Sequence, residues 1–220
     1  MTRCAVVGAG AWGTALADLL ARNGHSVVVW AHEADVAEAI STGHENVRFL
    51  AGVPLHPRVT ATTSLGRALD GAALVCLATP SHLLRGIFRG AVDHLDAGAT
   101  LCVASKGIEP GTLALMSDVV TEEAPGHPVV ALSGPSFASE VAARQPTAIV
   151  AASDDERAST MVQDSLSNTH FRVYTHDDIV GVNQDVIYVS NAPATDLQKF
   201  FGIINGSLGT VSNASRMAGG

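Results

Sequence analysis

The chain has 220 residues, with 13 Lys and Arg against 21 Asp and Glu, a formal charge of −8. That sign excludes a surface that holds nucleic acid or anionic lipid by counterion release. Although 47% of residues are apolar, no run approaches the roughly 20 residues of a membrane helix, so the composition predicts a large-core globular chain without a membrane span.

The N-terminal stretch "MTRCAVVGAG" is too short in apolar residues for a secretory signal and points to a cytoplasmic protein. Cys4, Cys76 and Cys102 are an odd number and lie far apart inside apolar runs, as expected of buried reduced thiols. The nine histidines show neither HxxxH nor HExxH spacing, so no metal site is expected.

In chain order, 3–8 reads as a strand, 11–24 as a helix and 25–31 as a second strand. A helix near 33–42 leads through an irregular stretch to a strand near 58–62 and a short helix near 64–70. There follow a strand at 72–79, a helix at 81–95, a strand at 99–105, a helix near 111–123 and a strand at 128–133. The order closes with a helix near 136–143, a strand at 147–153, a helix near 154–167 and a strand at 171–175. Continuous apolar runs are what burial on both faces produces in a parallel sheet. Strict strand–helix succession predicts an α/β fold with a doubly wound, Rossmann-like, mostly parallel sheet and right-handed crossovers. Ligands of such sheets sit at the carboxyl ends of the strands, where strand order reverses.

"VVGAGAWG" places Gly8, Gly10 and Gly13 at GxGxxG spacing, after a strand and at the start of a helix. Gly8 permits the tight turn, Gly10 lets the backbone approach a pyrophosphate, and Gly13 lets helix and strand pack closely. This context predicts a dinucleotide site. At the end of the second strand, Glu33 could bond the ribose of NAD and His32 could accept the phosphate of NADP, so the expected cofactor is NAD or NADP.

Three further loops fall at strand ends: "ATPSH" (78–82), "ASKGIEPG" (104–111) and "LSGPSFASE" (132–140). Each is compatible with an ordinary turn, and Ser81 and Ser136 with helix caps. Their convergence beside a dinucleotide site instead suggests that Lys106 meets a substrate phosphate or a polarised carbonyl.

With "GAGAWGTALA", the "NxxFLxGVPL" of 46–55, "LATPSHLLR", "ASKGIEPGTL", "ALSGPSFASEVA", "QPTAIVAAS" and "FRVYTHDDIVGV" in this order, the chain resembles bacterial NAD(P)-dependent sn-glycerol-3-phosphate dehydrogenase over about residues 2–182. The resemblance implies hydride transfer between nicotinamide and a small phosphorylated substrate, interconverting dihydroxyacetone phosphate and sn-glycerol 3-phosphate, a glycerophospholipid precursor. It also implies cofactor contacts at Ala11, Trp12, His32, Lys106 and Ala138, and substrate contacts at Lys106, Gly134 and Ser136.

The resemblance stops near residue 182. The family continues with a "GGALKN" segment whose lysine accepts the substrate's proton, and with a helical C-terminal domain. Here Val189 stands at the ungapped position of that lysine, Lys199 is the only lysine of the tail, and 183–220 reads as a non-matching tail in place of the start of a substrate domain. Valine cannot accept a proton, so the catalytic base is not assigned. Two other readings follow: a catalytically crippled dinucleotide-binding module, and an interaction protein that recruits a partner or forms a homo-oligomer through "FFGII".

Overall fold

The computed structural model describes residues 1–179 and residue 181. Its strands are β1 (Arg3–Val7), β2 (Ser26–Trp30), β3 (Glu45–Asn46), β4 (Leu50–Pro54), β5 (Val59–Thr62), β6 (Leu74–Leu77), β7 (Thr100–Val103), β8 (Val129–Ser133), β9 (Thr147–Ala152) and β10 (Phe171–His176). Its helices are α1 (Ala11–Arg22), α2 (Ala34–Glu38), α3 (Leu65–Leu69), α4 (Ser81–Arg89), α5 (Met116–Glu123), α6 (Ala138–Ala142) and α7 (Glu156–Leu166). Eight strands form one sheet in the order β10-β9-β8-β7-β6-β1-β2-β5. The expected α/β, Rossmann-like, mostly parallel sheet is present.

Central strands are apolar along their length because helices cover both faces. Strands β6 and β7 are buried at every position, whereas the edge strand β10 alternates and leaves Tyr174 exposed. One face of the sheet packs Leu16, Leu20, Val27 and Val29 with α1, and the other packs Leu84, Phe88, Val119 and Val120 from α4 and α5. Cys4, Cys76 and Cys102 are buried free thiols on adjacent strands, with Cys76 opposite Cys102. Burial pushes the Cys4 thiol up to about 12, and a hydrogen bond with Cys102, followed by burial, raises that of Cys76 as well.

Strand β1 pairs in parallel with β2 on one side and with β6 on the other. The chain travels outward from β1 through β2 to β5 and then returns to β6, so strand order reverses between β1 and β6. That reversal opens a crevice at the carboxyl ends of the two strands.

Four local expectations need correction. Strand β9 runs antiparallel to β8, with Ala131 opposite Ala152, so this connection is not a crossover. A helix of five residues is too short to carry the chain back across the sheet. The irregular stretch before β5 contains the β3–β4 hairpin, and the helix expected at 81–95 ends at Arg89, followed by Gly90 and a separate 3₁₀ turn at Val92–His94. The helix expected from 111 begins only at Met116, because Gly111 and Leu113 have φ of 95° and 60°, outside the helical region. Among the described residues, no helix is long and apolar enough to cross a membrane.

Candidate functional site

The glycine loop closes the crevice from one side. Gly8 has φ of 117°, and a Cβ there would stand 2.7 Å from the Ala78 carbonyl oxygen on the neighbouring strand end. At Gly13 a Cβ would collide with the Gly8 carbonyl oxygen. Both glycines are thus required by the fold itself. Gly10 is different: its backbone is extended, with φ of −66°, and a Cβ would meet nothing within 4 Å. Nothing among the described residues forbids a side chain at Gly10, and the open space beside it lies at the start of α1.

The first turn of α1 has no acidic residue and no side-chain cap. Among the described residues, its first-turn N–H groups and positive dipole end therefore have no neutralising side-chain partner, as an anion site requires. Two polar atoms nearby are also orphaned. Trp12 Nε1 and Thr79 Oγ1 are buried with no hydrogen-bond partner among the described residues, a state that is costly unless a ligand or water completes it. Open space at Gly10, uncapped amides and two orphaned polar atoms fit a bound dinucleotide phosphate.

The loop is fastened from outside by a residue that sequence reading had placed only within a motif. Asn46, fully buried on β3, donates from Nδ2 to the Ala9 carbonyl at 2.8 Å and to Thr14 Oγ1 at 2.8 Å, and its Oδ1 accepts from Phe49 N–H at 3.1 Å. Asn46→Ala leaves these groups short of partners, at a cost of about 1–3 kcal/mol. The expected result is a lower unfolding midpoint together with weaker nucleotide binding, read by paired denaturation and titration.

Lys106 leaves the end of β7 and reaches across the crevice. Its Nζ donates to the Ser136 carbonyl at 3.3 Å and lies 5.6 Å from the centroid of the Trp12 ring, within cation–π range. Trp12, Lys106 and Ser136 are therefore brought together from the first turn of α1 and two loops. The residue is exposed overall, yet packing around its ammonium lowers its pKa from the ordinary value by desolvation. An anion placed beside it would oppose that shift and favour the charged form.

Other expected positions have structural duties as well. A Cβ on Gly134, with φ of 147°, would meet Ile149 Cγ2 at 3.0 Å, so close packing on β9 already requires glycine. Ser136 is buried. Ala138 opens α6 and, with Ala11 and Trp12, packs against the core beneath the crevice. His32 stands exposed after β2, on the opposite side of β1 from the Lys106 strand. Beside it, Arg48 Nη1 lies 3.7 Å from Glu33 Oε1 and 4.0 Å from Asp35 Oδ2, a cation that sequence spacing did not single out.

The loop after Lys106 is held by a charge network. Arg85 on α4 grips Glu109 with both ends of its fork, Nε to Oε1 at 2.7 Å and Nη2 to Oε2 at 2.8 Å, and Nη1 bonds Glu123 at 2.7 Å. Arg89 bonds Glu123 at 2.8 and 2.9 Å, and the Thr112 hydroxyl donates to Glu109 at 2.5 Å. The Arg85 fork and the Thr112 hydroxyl depress the Glu109 carboxyl to about 2, from 4.5. Because its folded pKa lies below its unfolded value, the stabilisation is complete above about pH 4.5 and is lost as pH falls towards 2. Protection factors at residues 108–115, each referred to the intrinsic exchange rate at that pH, are therefore expected to fall across that window while those of the strand amides hold.

Val189 and Lys199, with the tail they belong to, lie outside the described residues. Among the described residues, no group of three or more His, Cys, Asp or Glu could hold a metal ion.

Comparison with known proteins agrees with this geometry. Residues 3–159 match the family model described as the NAD-dependent glycerol-3-phosphate dehydrogenase N-terminus. A glycerol-3-phosphate dehydrogenase [NAD(P)+] of Bacillus cereus (strain B4264) is 45% identical over 185 residues, 83% of this chain and 54% of that protein. The solved glycerol-3-phosphate dehydrogenase of Coxiella burnetii superposes with a TM-score of 0.80 at 34% identity, covering 84% of this chain and 57% of that one. A UDP-D-ManNAc dehydrogenase from Pyrococcus horikoshii, at 16% identity and a TM-score of 0.68, shares the fold. The chain spans about half the length of the curated relatives it matches. The sequence match over most of the chain makes this chain a member of the NAD-dependent glycerol-3-phosphate dehydrogenase family, aligned with its N-terminal domain.

Proposed function

We propose that this chain binds NAD(H) or NADP(H) at the β1–β6 crevice and serves the interconversion of dihydroxyacetone phosphate and sn-glycerol 3-phosphate. The observation that carries this reading is the unpartnered space at Gly10, set against the uncapped first turn of α1. In this reading Gly10, Ala11, Trp12 and Gly13 hold the pyrophosphate through main-chain amides, with Gly8 shaping the turn and Ala138 lining the wall. The nicotinamide, once bound, supplies the hydride acceptor or donor.

His32 and Glu33 take the ribose end. Arg48 beside Glu33 gives that end a cation and an anion together, which supports use of either nucleotide. Lys106 supplies the positive charge at the reacting end, where it lowers the cost of negative charge on a substrate carbonyl oxygen. Gly134 and Ser136 position the phosphorylated substrate. The nucleotide domain comprises 1–182, and the proton acceptor is not assigned within it. Buried free thiols support a reducing, cytoplasmic setting.

Calorimetric titration with NADH and NADPH, paired with an absorbance assay of nicotinamide oxidation by dihydroxyacetone phosphate, tests the proposal. Binding with turnover is the expected result for the full activity. Binding without turnover would reduce the chain to a dinucleotide-binding module, and no binding of either nucleotide would defeat the reading.

A further inference from the structure

We infer that Arg85 is a positioning residue for Lys106: by gripping Glu109 from α4 it fixes the loop that carries the Lys106 ammonium to Trp12 and Ser136. The inference rests on Lys106 being the anion contact proposed above.

The covalent path from β7 to α5 gives the ammonium little support. Ser105 Oγ bonds the Leu77 carbonyl at 3.2 Å, but Gly107 follows Lys106 with φ of 101°, a conformation that only a flexible residue adopts easily. Beyond it the chain closes on itself. Ile108 bridges Leu115, Glu109 N–H bonds the Ala114 carbonyl at 2.9 Å, and Leu113 N–H bonds the Glu109 carbonyl at 3.0 Å. This small closed loop includes Leu113, a non-glycine residue at φ of 60° and 70% exposed, so its own packing does not explain its shape.

What holds the loop is the Glu109 side chain. Both its oxygens are taken by the Arg85 fork, and one also accepts from Thr112. A bidentate arginine–carboxylate pair fixes orientation as well as distance. Arg85 is itself braced by Glu122 at 2.9 Å and Glu123 at 2.7 Å. These two carboxylates stand at the C-terminal end of α5, where the helix dipole disfavours negative charge. Arginine therefore serves two purposes: it offsets charge at the end of α5 and ties that helix, through α4, to the Lys106 loop. Arg89 supplies a built-in contrast, since it bonds Glu123 and does not touch Glu109.

The test is competitive acylation of the full chain over a range of pH, with peptide mapping by mass spectrometry. Lys106 and Lys199 are the two lysines of the sequence, so the Lys106 signal is unambiguous. In the unaltered chain Lys106 titrates below an ordinary lysine, as its desolvation requires. Glu109→Gln and Arg85→Met are expected to return it to the ordinary range and to weaken binding of a phosphorylated three-carbon ligand, in the presence of NADH, by about 10-fold or more. Arg85→Lys, which keeps charge but loses the fork, should fall between. Arg89→Ala leaves the Arg85–Glu109 fork in place and removes only a second partner of Glu123, so it should move both readouts by less than Glu109→Gln does.

Should Arg85→Met fail to fold, Glu109→Gln and Arg85→Lys still decide. An unchanged Lys106 titration in folded Glu109→Gln, or an equal shift in Arg89→Ala, overturns the inference. NADH titration of the unaltered chain judges the nucleotide site separately, so a failure there is not confused with a failure of the clamp.

Discussion

Gly13→Ala is expected to cripple folding rather than merely to weaken a ligand. The new methyl would collide with the Gly8 carbonyl oxygen, a backbone atom that cannot rotate away. Ordinary overpacking costs about 1–3 kcal/mol, and here relief requires α1 to move off β1. Helix α1 supplies Leu16 and Leu20 to the core, so that displacement spreads into the main apolar cluster. A destabilisation at or above the top of that range, about 3 kcal/mol, is predicted from chemical denaturation. A midpoint unchanged from the parent would show that the turn is looser than its geometry indicates.

The second large effect is expected at Lys106. Lys106→Met keeps the apolar stem over Trp12 and removes the charge, so packing is preserved while the anion contact is lost. Hydrogen bonds to charged groups are worth about 1.5–3 kcal/mol. Affinity for a phosphorylated three-carbon ligand in the presence of NADH should therefore fall by about 10- to 150-fold. Thermal stability should hold or rise slightly, because a partly desolvated ammonium has been removed. Equal affinity in the two proteins would take Lys106 out of the site.

Much of this was legible in the residues. The apolar runs of β1, β6 and β7 announced a sheet covered on both faces, and Gly8, Gly10 and Gly13 announced the turn at its reversal point. Lys106 was recognisable as a cation at a strand end. Less legible was anything that depended on pairing between distant segments. The reversal of β9 leaves no mark in "TAIVAAS", since parallel and antiparallel buried strands read alike. Arg85, Glu109 and Glu123 are spread across three elements and resemble solvated helix charges until the fold joins them. Asn46 sits in a stretch without periodicity, and its duty to Ala9 and Thr14 exists only once the hairpin packs on α1. Pro110-Gly111 suggested a turn, yet the helix expected to follow was delayed to Met116 by the closed loop.

The glycines differ in what they test. Gly8 and Gly13 are demanded by protein atoms, so their substitution reports on folding. Gly10 borders open space, and its substitution reports on whatever fills that space. Alanine is also a poorer N-cap than glycine, a loss of about 0.5–1 kcal/mol that leaves the fold intact.

The most direct measurement is calorimetric titration of NADH into the unaltered chain and into Gly10→Ala, with far-ultraviolet circular dichroism confirming that both are folded. Saturable one-site binding by the parent, with a Kd on the order of 1–100 µM, and a loss of at least about tenfold in the variant, near 1.4 kcal/mol, is the predicted result. Absence of saturable heat in the folded parent, or identical isotherms for the two proteins, would contradict a diphosphate held on the amides of this turn.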